Sequence, residues 1–418
     1  MIETLTLSPG VTLRCFRDTR FKQGRLTVQF VRPMSRDEAS LNALLPAVLL
    51  RGTEKHPDLR SITMYLDDLY GAAVGDLVRR IGDYQTTGLS CTFTEDRFAL
   101  PGDQIEAPAV DFLREILLCP KLEKGAFCRD FVESEKKNLL ADLESQKNDK
   151  QTYAANRLME IMCSADSFGI PRLGTKKSLK GITPESLYRH YRNLLETAAV
   201  EIFYVGSRQA QDVAQLLSGL FLGVDRSYVN LAPQTPFHDN GPAKVRENMD
   251  ITQSRLNMSF VTAITNRSGD FAAMQVLNAL FGGMTSKLFM TVREKMSLCY
   301  SIGSGYYGSK GILTVGAGID GAQADTVRRE VLNQLQACQD GDITPSELES
   351  ARQYLLSGLR TVHDSPGSIE GYYATAALSG LALSLEEYRH QVATVDIPRL
   401  QAAAQSLHFH SEFFLEGQ

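Results

Sequence analysis

Apolar positions along the chain recur with two different periods, and stretches of the two kinds alternate. VTLRCF and RLTVQFVR (residues 11–16 and 25–32) are alternating or β-branched and predict strands joined by a turn at DTRFKQG. From Asp37 the period lengthens through Ala43, Leu45, Val48 and Leu49, predicting a helix that stops at Arg51-Gly52-Thr53. A second helix is expected over DLRSITMYLDDLYGAAV, with Ile62, Tyr65, Leu66 and Leu69 on one face, followed by strands around VGDLVRRIG and TTGLSCTFT. VDFLREILLC is amphipathic and ends at Cys119-Pro120, where the residue before proline disfavours a further helical turn. GAFCRDFVESEKKNLLADLESQKND predicts a longer, heavily charged helix. Helices around YAANRLMEIM and PESLYRHYRNLL, the strand AVEIFYVG and the helix AQDVAQLLSGLFLG complete the first half.

The run from Val224 to Lys244 has no apolar period and three prolines, so residues 225–244 are expected to link a domain over 1–224 to one over 245–418. Beyond it the order of elements starts again. ITQSRLNMSFVTA and GILTVGAG predict strands, and ADTVRREVLNQLQAC predicts a helix matching VDFLREILLC. TPSELESARQYLLSGLRTVHDSP parallels the charged helix of the first half, and PRLQAAAQSL with HSEFFLEG echoes ESLYRHYRNLL with AVEIFYVG. This is an internal duplication of roughly 200-residue units. The expected class is α+β: two homologous domains, each an antiparallel-rich sheet with helices mainly on one face.

Between the strands of the second half lies the most informative stretch, Ala272 to Tyr307. Ala272, Val276, Leu277 and Leu280 mark a helix that stops at Gly282-Gly283. SKLFMTVREKM predicts a second helix with Leu288, Phe289 and Val292 on one face, and an alternating run from Tyr300 predicts a strand. Arg293 and Tyr300 flank that helix-to-strand turn, where a guanidinium and a phenol could reach one cleft. The plain alternative is an arginine paired with Glu294 or a neighbouring acid, beside a half-buried tyrosine.

With 418 residues and 43% apolar content, the chain can bury sizeable cores. Net charge is −5 with both signs interspersed, which argues against nucleic acid or an anionic membrane surface as partner. No run approaches the roughly 18 apolar residues of a membrane span, and MIETLTLSPGV has neither part of a secretion signal. Seven scattered cysteines without C-x-x-C spacing are expected to be buried thiols in a reducing cytoplasm.

LFMTVREKMSLCYSI is similar to the L-F-x-x-x-R-E-x-x-x-L-x-Y-S-x segment of the pitrilysin/insulinase family of zinc peptidases, in particular its short members akin to mitochondrial processing peptidase. RGTEKHP resembles the K-G-T that follows the family's zinc helix, and the two-unit pattern extends the resemblance over essentially the whole chain. It implies half of a metallopeptidase clamshell, two such chains facing each other around a chamber. The family's arginine and tyrosine, set against substrate backbone and the reacting carbonyl, fall on Arg293 and Tyr300.

At the zinc helix the sequence departs from that family. Counted back from Gly52-Thr53, the H-x-x-E-H positions are Ala43 for the first histidine, Pro46 for the glutamate and Ala47 for the second histidine. The third ligand aligns with Asp142 and a supporting acid with Glu135. Three of the four catalytic positions carry side chains that neither ligate nor take a proton, and Pro46 costs a helical hydrogen bond unless it sits in the first turn. Only His408 and His410 lie close in sequence, and no acid or cysteine stands at helical ligand spacing beside them, so ordinary surface or packing roles are expected. GGMTSK lacks phosphate-loop spacing and reads as a capped helix break. GSGYYGSKG fits an exposed sheet edge beside a peptide, and a hairpin turn at least as well. No serine or cysteine has a recognisable base.

The resemblance therefore implies a non-zinc subunit. It would give Arg293 and Tyr300 to an extended peptide and leave the zinc to a homologous partner, with no metal of its own. Self-association as a homodimer is the alternative partnership. An inert peptide-binding scaffold is the alternative function.

Overall fold

A computed structural model describes residues 2–221 and 223–417. Met1, Leu222 and Gln418 lie outside the described residues; they include one position of the helix expected over 210–223 and the outer limits of both expected domains.

In chain order the first half runs β1 (Ile2–Ser8), β2 (Val11–Arg17), β3 (Gln23–Pro33), α1 (Ala39–Leu49), α2 (Leu59–Asp68), β4 (Ala73–Ile81), β5 (Tyr84–Thr94) and α3 (Glu106–Leu118). A small hairpin, β6 (Leu122–Glu123) and β7 (Ala126–Phe127), leads to α4 (Arg129–Ser145), α5 (Lys150–Met162), α6 (Lys176–Lys180), α7 (Pro184–Thr197), β8 (Ala199–Gly206) and α8 (Ala210–Leu216). The second half runs β9 (Lys244–Met249), β10 (Ser254–Val261), α9 (Phe271–Gly282), β11 (Cys299–Tyr307), β12 (Ile312–Ile319), α10 (Ala324–Asp340) and α11 (Pro345–Thr361). It ends with α12 (Pro366–Ser379), α13 (Leu385–Thr394), α14 (Ile397–Gln405) and β13 (His408–Gly417).

Two sheets organise these elements. One has the order β1-β2-β8-β3-β5-β4 and the other β11-β12-β10-β13-β9. In each, a single parallel pair (β2 with β8, β9 with β13) is followed by antiparallel neighbours. The orders superimpose strand for strand, β4 on β11 and β5 on β12, with β1 as an addition. The repeat visible in the sequence is thus a repeat of topology, and the class is α+β as expected.

The compact units do not follow chain order. Unit 1 comprises residues 1–144, 170–233 and 363–375, and unit 2 comprises 145–169, 234–362 and 376–418. Each half therefore donates one helical segment to the sheet of the other. In unit 1 the donated Glu370, 1% exposed, accepts two hydrogen bonds from Arg79 at 2.8 and 2.7 Å and one from Gln29 at 3.0 Å. In unit 2, Ala154 and Leu158 of α5 pack on Phe413 and Leu415 of β13. The stretch expected as a linker has no helix or strand before β9. It is nonetheless bonded on both sides, through Arg226 to the Leu195 and Ala198 carbonyls in unit 1 and through Asn240 to Ser164 in unit 2.

Of the seven thiols, six are buried and Cys119 is exposed, a correction to the expectation that all are buried. Burial pushes Cys15, Cys91 and Cys338 up to about 12, so these three are inert. Among the described residues no helix is long and apolar enough to cross a membrane.

Candidate functional site

In unit 1 the site is built on α1, a helix apolar nearly all round and therefore buried. Pro46 sits in its interior, not in its first turn, so the expected loss of a helical hydrogen bond is real. The Asn42 carbonyl, four residues back, accepts instead from the Thr87 hydroxyl of β5 at 2.6 Å. The fold thus satisfies an acceptor that an ordinary helix would satisfy internally. Gly52, just beyond α1, is required for space: a Cβ there would stand 2.8 Å from the Pro57 carbonyl oxygen. Thr53 and His56 clasp that loop, the Thr53 hydroxyl donating to Glu115 and the His56 ring lying 2.9 Å from the same carboxylate.

Ala43, Ala47, Glu135 and Asp142 line one cavity of about 350 Å³, alongside β4 residues Asp76 and Arg79. Pro46 is buried and does not line it. Glu135 is engaged by Arg51 at 3.2 Å and by the Asn138 amide at 3.0 Å. Two methyl groups stand where imidazoles would be needed, and the described residues contain no group of three His, Cys, Asp or Glu able to hold a metal ion. A zinc ion does not fit this donor set.

In unit 2 the expected second helix is a π-helical turn, Phe289–Lys295, closed by Met296 N–H donating to the Thr291 carbonyl at 3.0 Å. Turns of this kind concentrate at functional sites. Arg293 lies on it with its guanidinium 4.7 Å from the Phe289 ring centre and 3.7 Å from Glu294, a pair too exposed to hold it strongly. The chain then passes Ser297, whose φ of 53° is left-handed, into β11. The pairing with β12 slips between Cys299 and Ser301, so Tyr300 is the extra residue of a β-bulge. Bulges re-aim side chains, and Tyr300 is 68% exposed instead of half-buried as the plain alternative required. Both residues are therefore held by local backbone irregularity with their donor groups facing solvent. A guanidinium and a phenol so placed can donate to peptide carbonyls.

The edges of the two sheets differ in charge. β1 carries Glu3, β4 carries Asp76, Arg79 and Arg80, and β9 carries Lys244, Arg246 and Glu247, whereas β11 carries no charge and no proline. Charged edges resist strand addition and an uncharged one invites it. The signal was present in CYSIGSGYY, but its meaning depends on which strands are outermost.

Of the two histidines of β13, His408 is exposed and His410 is buried. His410 lies 2.8 Å from Asp239 and 2.8 Å from the Ser411 hydroxyl. Ser411 is fully buried and accepts from Ala243 N–H, so this serine–histidine–aspartate chain has no accessible nucleophile.

Residues 181–355 match the family model described as "Peptidase M16 inactive domain". The chain is 27% identical over 410 residues to "Probable inactive metalloprotease YmfF" of Bacillus subtilis (strain 168), covering 98% of this chain and 96% of that protein. It superimposes on a conserved protein from Enterococcus faecalis V583 with a TM-score of 0.92 and 30% identity, covering 100% and 99% of the two chains. A second structure, the peptidase M16 inactive domain from Pseudomonas fluorescens, gives 0.82 at 19% identity with 100% and 98% covered.

Proposed function

The chain belongs to the pitrilysin-type peptidase M16 family, as an inactive-type member without the zinc motif, and we propose that it serves as the non-zinc subunit of a heterodimeric metallopeptidase-like complex. In this reading it holds a peptide in extended conformation and presents Arg293 and Tyr300 to the peptide carbonyls. A homologous subunit supplies the zinc helix, and the pair works in the cytoplasm. The observation that carries the reading is a contrast within one chain. Two alanines stand at the histidine positions of the zinc motif and a proline at its glutamate position, while Arg293 and Tyr300 are held exposed by a π-turn and a bulge at the start of an uncharged sheet edge. A scaffold has no need of both donors.

The second reading, an inert peptide-binding scaffold, is favoured by the emptied zinc positions alone. The test is turnover of an extended fluorogenic peptide by this chain mixed with a zinc-motif homologue from the same genome. R293A and Y300F should each lower turnover by about 10²–10³, the usual cost of an oxyanion donor. Equal turnover with and without the two side chains contradicts the subunit reading and leaves the scaffold.

A further inference from the structure

The far end of β11 is held by a buried ion pair that links three chain segments of unit 2. Lys310, in the turn between β11 and β12, is 1% exposed. Its ammonium lies 3.0 Å from Asp166 Oδ1, 3.1 Å from Asp166 Oδ2 and 3.1 Å from the Thr235 carbonyl. Asp166 belongs to the 145–169 segment that the first half donates to this unit. The same carboxylate accepts from His238 N–H at 2.9 Å and Phe168 N–H at 2.8 Å. Hairpin, donated segment and the stretch before β9 thus converge on one carboxylate.

Apolar contacts repeat the arrangement. The Phe168 ring meets Tyr307, the last residue of β11, edge-on with centres 5.6 Å apart. Met159, Met162, Cys163 and Phe168 pack around Ile312, the first residue of β12.

An ammonium removed from water is tolerated where a carboxylate compensates it, and leaving either partner alone is strongly unfavourable. Lys310 can therefore be buried, and the hairpin turn closed, when the donated segment is docked with Asp166 in place. We infer that Lys310 and Asp166 are positioning residues for β11, coupling the order of that edge to docking of the donated segment. The inference rests on the reading of β11 as the edge that receives a peptide. Coupling is reciprocal, so a peptide added to β11 also stabilises the docked segment.

Hydrogen exchange on the full chain tests this, with a fluorescein-labelled Lys-(Thr-Val)4-Lys peptide as probe. D166N leaves the ammonium facing a neutral amide, and amides of β11 and its turn should exchange at least about tenfold faster. Those of α10, α11 and β9 should stay at wild-type rates, and probe binding should weaken at least about fivefold. D166N/K310M, neutral on both sides, should recover most of the protection. Should D166N not fold, K310M carries the same local prediction, because Asp166 keeps its two backbone donors. Unchanged β11 exchange, equal acceleration across the unit, or a double variant no better than D166N would each overturn the inference. Loosening of β11 with undiminished probe binding would instead overturn the reading of β11 as the peptide edge and leave the positioning role standing.

Discussion

Single residues in this chain show how a site can be emptied without loss of the helix that carried it. On the buried face of α1, Asn42 lies 2.7 Å from the His190 ring and donates to Gln85 at 2.9 Å. Burial lowers the His190 pKa to about 4, with Arg32 adding to the effect and Glu38 opposing it. The unfolded imidazole takes its proton near pH 6.5 and the folded one near 4, so between those values the unfolded state binds more protons. The contribution of His190 is therefore complete above pH 6.5, falls as pH drops towards 4, and is constant below that. It amounts to at most about 3 kcal/mol. Urea denaturation between pH 7 and about 4 should show the loss, and H190Q should flatten that part of the profile. An unchanged slope in H190Q would assign the pH dependence to other groups. At this scale the sequence was legible where chemistry was missing: Ala43, Ala47, Glu135 and Asp142 are brought to one cavity. It was silent on Thr87, because the hydroxyl that satisfies the Asn42 carbonyl lies on another element and no local pattern announces it.

At the scale of elements, helices and strands with a strong period were legible. Those shaped by tertiary context were not. FMTVREK has ordinary helical spacing and folds as a π-turn, followed by Ser297 in the left-handed region before β11. The bulge at Tyr300 depends on its register with β12, which one strand cannot reveal. β1 and β9 are edge strands with no fully buried residue among those described, and α12 lacks an apolar stripe, its buried positions including the charged Glu370. The uncharged edge of β11 gives a prediction at this scale. At Gly305 a Cβ would meet only Thr314 Oγ1, at 3.7 Å, so G305K should fold normally. A lysine there should discourage strand addition and weaken capture of an extended peptide by about fivefold or more. Titration of a labelled strand-forming peptide against both proteins measures the effect, and equal affinities would move the peptide site away from β11.

For the whole molecule, the duplication was legible in the order of elements, whereas the exchange of segments was not. Residues 145–169 and 363–375 continue in sequence from the half they leave, and their local patterns do not say which sheet they will cover. Buried pairs specify the seats, Glu370 with Arg79 in unit 1 and Asp166 with Lys310 in unit 2. The central claim concerns division of labour between chains, and metal content with peptidase activity tests it most directly. The purified chain is measured alone and mixed with its zinc-motif homologue. The account predicts less than stoichiometric zinc and no cleavage alone, with cleavage by the mixture beyond that of the homologue by itself and lost on R293A. Stoichiometric zinc and peptide cleavage by this chain alone would contradict it.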